Sequence, residues 1–380
     1  MRLVKYLLLP ILLVGIYSCS QKENSTINTA KDTIVVNGRE STVFDPGKEL
    51  VFTHSIQLET TSECLIKSID KLFSTNEYII IFDQGSNHIF QFDKTGRFIR
   101  QIGKKGQGPE EYLFFNDVIY DSRTNCIYAF ERYRKQMYIY NMNGELLNAI
   151  NSRYSFNSFI KTTHGYWIYS CFEDNNPHNH LLMLVDDSLS VVKKKYFPQA
   201  AFNIVHFTPR FTVNKSTEEY LFYYDGSDIL WQLTDKATAR FRVDFGEATL
   251  PYNEMCKMTN IKNYDKLIHG KYYMGFIDNV LISDSLLLFN CYNSGKNKPV
   301  SSYMVTYNHQ SKDCHIYSSV RMKKGYIPAN YTRIIDITEN NELVYITEPQ
   351  RLFKSEFEDL QKLLPNITEE DNPILFYAKH

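Results

Sequence analysis

The residue types most able to do chemistry in this chain are few and far apart. His178 and His180 stand two positions apart in a polar stretch that also holds Glu173 and Asp174, so spacing brings metal-ligating groups together there. Such a pair can hold a divalent ion, and it can equally belong to a solvated loop with no ligand. His54, His164, His206, His269, His309 and His315 are isolated, which suits structural roles better than acid–base work. No Gly-x-Ser-x-Gly elbow and no nucleophile–base spacing occurs. No catalytic residue is therefore assigned, and no cofactor is expected beyond a metal on the histidine pair.

Basic and aromatic residues offer a second kind of chemistry. Glu131-Arg132-Tyr133-Arg134-Lys135 and the separate Arg210 set guanidinium groups near aromatic rings. Planar Arg in that company suits a carboxylate, a sulfate, a sugar acid or a peptide partner. Arg132, Tyr133, Arg134 and Arg210 are thus candidate ligand- or partner-binding residues, with ordinary solvated loops as the alternative. The Gly-rich run Gly106-Gln107-Gly108-Pro109-Glu110-Glu111-Tyr112 matches neither phosphate-binding glycine motif, and no helical pattern follows it. It is expected to be a structural lock between sheets. Gly106 and Gly108 allow a tight passage, Pro109 fixes φ, Glu111 accepts backbone N–H groups and Tyr112 closes the motif.

The elements that must position these residues repeat along the chain. Residues 77–102 match residues 125–150 without a gap at a constant offset of 48. Phe82 meets Phe130, Asp83 meets Glu131, Asp93 meets Asn141 and Gly96 meets Gly144, so apolar, acidic and turn positions superimpose together. Each unit alternates apolar and polar residues and turns tightly at a glycine, as antiparallel hairpins do. Weaker copies at 165–197, 218–246 and 285–320, and a partial one at 333–349, bring the number to six. Units of this size cannot cover both faces alone and must stack around an axis, which predicts an all-β six-bladed β-propeller of four-stranded antiparallel blades. The strand-like segment 49–60 is expected to complete the sixth blade from the N-terminal side.

Composition agrees with that architecture. The 380 residues are 43% hydrophobic and 22% charged, enough for a sizeable core, and include 28 Tyr and 25 Phe, which suit half-buried pleated surfaces. A formal charge of −1 supplies no basic field, so no nucleic-acid partner is expected. At the N-terminus Arg2 and Lys5 precede an apolar stretch too short for a comfortable membrane span, predicting a signal peptide over residues 1–18. Ile16-Tyr17-Ser18-Cys19 resembles a bacterial lipobox, which implies cleavage before Cys19 and acylation of its thiol, palmitate being one such chain. Residues 19–43 are polar and lack aromatics, predicting a lipidated flexible tether ahead of a propeller over 44–380. Cys64, Cys126, Cys171, Cys256, Cys291 and Cys314 are scattered and are expected to be buried free thiols.

The GQGPEEY segment, with Leu58-Glu59-Thr60, Asp244-Phe245-Gly246 and Asn372-Pro373-Ile374-Leu375-Phe376-Tyr377, resembles the six-bladed β-propeller lipoproteins common in Bacteroidota, related in shape to NHL-repeat propellers. The resemblance covers nearly all of the mature chain. It implies a cell-envelope address with a lipid anchor, on the outer membrane, as the only membrane attachment. The function expected is a non-catalytic binding or scaffold module for an envelope protein or glycan. The alternative is a metal-dependent hydrolase or lyase acting on a sugar or lactone at the central channel.

Overall fold

The computed structural model describes residues 30–170, 180–198, 210–224, 226–251, 254, 261–268, 272–294, 302–322, 325–328, 333–352, 364 and 366–380. The signal segment, Cys19 and His178 lie outside them, as do Cys171 and Cys256. Three short strands come first: β1 (Asp32–Val35), β2 (Thr42–Phe44) and β3 (Val51–Gln57). Blade 1 is β4 (Lys71–Ser74), β5 (Tyr78–Asp83), β6 (His88–Asp93) and β7 (Phe98–Ile102). Blade 2 is β8 (Asp117–Asp121), β9 (Cys126–Glu131), β10 (Gln136–Asn141) and β11 (Leu146–Asn151). Blade 3 holds β12 (Ser158–Thr162), β13 (Gly165–Tyr169), β14 (His180–Val185) and β15 (Val192–Pro198). Blade 4 holds β16 (Phe211–Asn214), β17 (Glu219–Phe222), β18 (Ile229–Leu233) and β19 (Ala237–Asp244). Blade 5 is β20 (Tyr273–Ile282), β21 (Leu286–Ser294), β22 (Ser302–Asn308) and β23 (Cys314–Met322), with β24 (Gly325–Pro328) on its edge. Blade 6 joins β25 (Ile334–Ile337), β26 (Glu342–Thr347) and β27 (Ile374–Lys379) to β3, which pairs antiparallel with β27.

The first strand of each blade lies innermost and touches the first strand of the next, from β4 through β8, β12, β16, β20 and β25 back to β4. This is a six-bladed β-propeller. Its core is distributed, because six hydrophobic clusters fill the six gaps between neighbouring blades. Phe82 and Ile89 of blade 1 pack on Val118 and Tyr138 of blade 2. The closing gap packs Ile56, Leu375 and Tyr377 of blade 6 on Leu72 and Phe90 of blade 1. Blades covered on both faces bury nearly whole strands, and five of the six residues of β5 are buried.

The chain just before the propeller departs from the expected tether. Within 19–43, β1 pairs parallel with β19 on the outer edge of blade 4, and β2, which ends at Phe44, pairs parallel with β23 of blade 5. Ile34, Val36 and Phe44 are buried, and Asp32 pairs with both Arg240 and Lys312. A few alternating apolar residues are enough to order a strand against an open sheet edge, and the polar average of the segment conceals them. Among the described residues no helix is long and apolar enough to cross a membrane.

Candidate functional site

Each inner strand follows a connection from the blade before it, and the turn between the second and third strands lies on the same face as that connection. On this connector face the run from Gly106 to Tyr112 closes on itself. Gly106 N–H donates to the Tyr112 carbonyl at 2.9 Å and Tyr112 N–H to that of Lys104 at 3.0 Å. The Glu111 carboxylate accepts from Gly108 N–H at 2.9 Å and pairs with Lys104 at 2.6 Å. The Lys104 ammonium, then the Gly108 amide, hold the Glu111 carboxyl below its ordinary value. A Cβ on Gly106 would lie 2.0 Å from Glu111 Oε2, so the carboxylate fills the space that the glycine leaves. An acid therefore sits where a phosphate cradle would need an anion. Tyr112 is buried, stacks on Phe115 at 3.8 Å and donates its hydroxyl to the Asn87 carbonyl at 2.9 Å.

The Glu131–Lys135 turn joins β9 to β10 beside this lock. Glu131 is fully buried and accepts Leu113 N–H at 3.2 Å. Arg134 Nε lies 3.6 Å from the same carboxylate, and Arg134 Nη1 donates to the Glu111 carbonyl at 2.7 Å. Arg132 N–H donates to Asn116 Oδ1 at 2.7 Å. Arg134 thus staples the turn to the connection, whereas Tyr133 projects with 83% of its surface exposed. Leu113, Lys104 and Lys135 are also exposed. Residues 131–135 do not line the central channel.

Arg210 differs from the exposed loop residue expected. It is 1% exposed, immediately before β16, with its guanidinium carbon 5.6 Å from the Tyr169 ring of blade 3. The ring supplies the apolar and electrostatic partner that lets a guanidinium sit between blades. His180 begins β14, and the residues expected to join it at a metal lie outside the described residues. Among the described residues no group of three or more His, Cys, Asp or Glu is placed to hold a metal ion. Cys64, Cys126 and Cys291 are buried free thiols, and Cys314 is a half-buried one.

The channel forms a cavity of about 450 Å³ lined by the inner strands. Its cations are engaged by carboxylates: Lys71 with Asp117, Lys161 with Asp187 at 2.6 Å, Lys215 with Asp336 and Arg333 with Glu348. Asp117 also accepts Val118 N–H at 2.9 Å and Phe159 N–H at 3.0 Å, which ties blades 1, 2 and 3 at the axis. Lys215 reaches Asp336 from blade 4 to blade 6. Burial pushes the Asp336 carboxyl up, and Lys215 opposes the shift.

Two asparagines order the connections, Asn87, which the sequence did not single out, and Asn372, which the sequence offered as part of a signature without a role. Asn87, just before β6, binds both the N–H and the carbonyl of Phe115 at 2.8 Å. Asn372, just before β27, accepts Ile66 N–H at 2.8 Å and donates to the carbonyls of Glu59 and Cys64. Their shared position before a third strand was the available signal. The buried Asp83 does the work of Glu131 in blade 1, accepting Lys67 N–H at 2.8 Å.

Residues 53–379 match the model of a domain of unknown function, DUF4934. A protein of Bacteroides fragilis NCTC 9343 described as exported has a similar structure, with a TM-score of 0.70 at 17% identity over 91% of this chain and 98% of that one. A member of the DUF4221 family from Bacteroides vulgatus ATCC 8482 gives a TM-score of 0.50 at 13% identity over 87% of this chain and 97% of that one. At these identities the likeness is one of fold. No curated protein matches the sequence.

Proposed function

The chain belongs to the DUF4934 family, and we propose that it is an exported, lipid-anchored binding module that holds an anionic protein or glycan of the cell envelope on its connector face. The observation that carries this reading is the Glu131–Lys135 turn. Buried hydrogen bonds and the Arg134 staple fix it in place, yet it presents Tyr133 almost fully to solvent. A rigid exposed tyrosine offers large contact area at little cost in conformational entropy, and Tyr and Arg dominate the energetics of protein recognition. Arg132 and Lys135 in the same turn favour a partner of negative charge.

A lipid on Cys19 would keep the module at the membrane, with each buried methylene contributing about 0.8 kcal/mol. The similarity to a protein described as exported supports the envelope address. The test is a photo-crosslinking amino acid placed at position 133 in the native host, with the same probe at exposed Glu247 on the connector face of blade 4 as comparison. A defined envelope adduct at 133 and none at 247 is expected. The same adducts from both positions, or none at 133, would refute the proposal.

A further inference from the structure

The opposite mouth of the channel carries a second site. It is formed by the turns that follow the inner strands, and it leads into the axial cavity of about 450 Å³, a volume suited to a small molecule. Four cationic side chains line this cavity against six carboxylates, and all four cations already have carboxylate partners. Lys94, outside the lining, donates to Ser74 Oγ at 2.8 Å and to the Thr75 carbonyl at 2.9 Å, and its ammonium is attracted to Asp336 and Glu339. The lining therefore carries an excess of negative charge.

Two of its carboxylates, Glu218 of blade 4 and Glu339 of blade 6, form neither a hydrogen bond nor an ion pair with a described residue. They share the lining with the half-exposed rings of Tyr120 and Tyr220. Tyr120 of blade 2 and Glu339 of blade 6 both line the cavity, and burial first, then Glu339, pushes the Tyr120 phenol up. Tyr220 is pushed up to about 12, by burial first, with Arg123 opposing the rise and Glu218 adding to it. Aromatic faces beside carboxylates that hold no ion pair suit an ammonium group, whose charge is attracted to both.

We propose that the axial cavity binds a small organic cation, an ammonium on a short apolar stem, with Glu218 and Glu339 as counter-charges and the Tyr120 and Tyr220 rings against the stem. The site is separate from the Tyr133 turn and does not depend on a role for it. Free diamines and lysine side chains offer this chemistry, and amino sugars offer the ammonium on a polar ring instead.

Calorimetric titration of the intact folded protein with cadaverine, glucosamine and N-acetyl-lysine methylamide separates these sources, with neutral N-acetylglucosamine as control. At least one cation should bind with Kd below about 1 mM, and Glu218→Gln and Glu339→Gln should each weaken it about fivefold or more. Glu247→Gln on the opposite face should leave it unchanged, and melting curves show whether each variant is folded. The proposal is overturned if no cation binds, if N-acetylglucosamine binds as well as glucosamine when glucosamine is the cation bound, or if the folded Glu218 and Glu339 variants bind like the wild type.

Discussion

Gly96 and Gly144 occupy the same turn in consecutive blades, with φ of +91° and +81°, but they carry different burdens. A Cβ at Gly96 would stand 2.1 Å from the Gln57 carbonyl oxygen of β3, whereas at Gly144 the nearest atom is Arg100 Cδ at 3.3 Å, a side-chain rather than a backbone atom. Gly96→Ala should cost about 2–4 kcal/mol, backbone strain and steric displacement together, and Gly144→Ala about 1 kcal/mol. Urea denaturation of the two variants checks this, and equal losses would contradict it. In the same turn the Thr95 hydroxyl, 2.6 Å from Asp93 Oδ1, leads the groups that hold the Asp93 carboxyl at about 2 against an ordinary 3.8. A lowered folded pKa contributes stability that is present above the unfolded value and lost as pH falls through the folded one. The melting-temperature advantage of the wild type over Asp93→Asn should therefore shrink between pH 4 and pH 2. A constant gap across that window would show that the carboxylate charge contributes nothing. The matched positions Asp93 and Asn141 made this turn legible in the sequence. The extra closeness at Gly96 was not, because it depends on a strand forty residues away.

Among the elements, the connections between blades are the more demanding design problem. They cross irregularly over a buried rim, and their amides need acceptors. Asp83 and Glu131 supply these from the ends of second strands, and Asn87 and Asn372 from the starts of third strands. Replacing Arg134 by Ala removes the donor to the Glu111 carbonyl and the cation 3.6 Å from buried Glu131, and should lower the melting temperature. Amide exchange should rise at residues 111–116 and 131–136. Unchanged exchange there would remove the staple from the account. The outer hairpins could be read from the 48-residue offset, whereas the inner strands could not. β4, β8, β12 and β16 have only four or five residues each and no tight hairpin signal. Arg210 was misplaced for a related reason, since only the packing of blade 3 on blade 4 reveals the Tyr169 ring that covers it.

At the scale of the whole molecule, the ring is six interfaces of similar kind, and each blade is supported from both sides. Removing Val51–Gln57 would strip β27 of its outer partner and uncover the cluster that packs blade 6 on blade 1. The expected result is a lower melting temperature for the entire protein in one transition, and separate early fraying of one blade would contradict it. The number of blades could be read from the repeats. The axial cavity could not, because its lining comes from positions that share no sequence spacing. Recognition at the connector face is the central claim, and a paired comparison of Tyr133→Ala with wild type tests it most directly, measuring thermal unfolding and capture of the envelope partner crosslinked at that position. The account predicts that capture falls at least tenfold while the melting temperature is nearly unchanged, because exposed substitutions shift stability by only about 0.5 kcal/mol. Full capture by a folded Tyr133→Ala protein would contradict it.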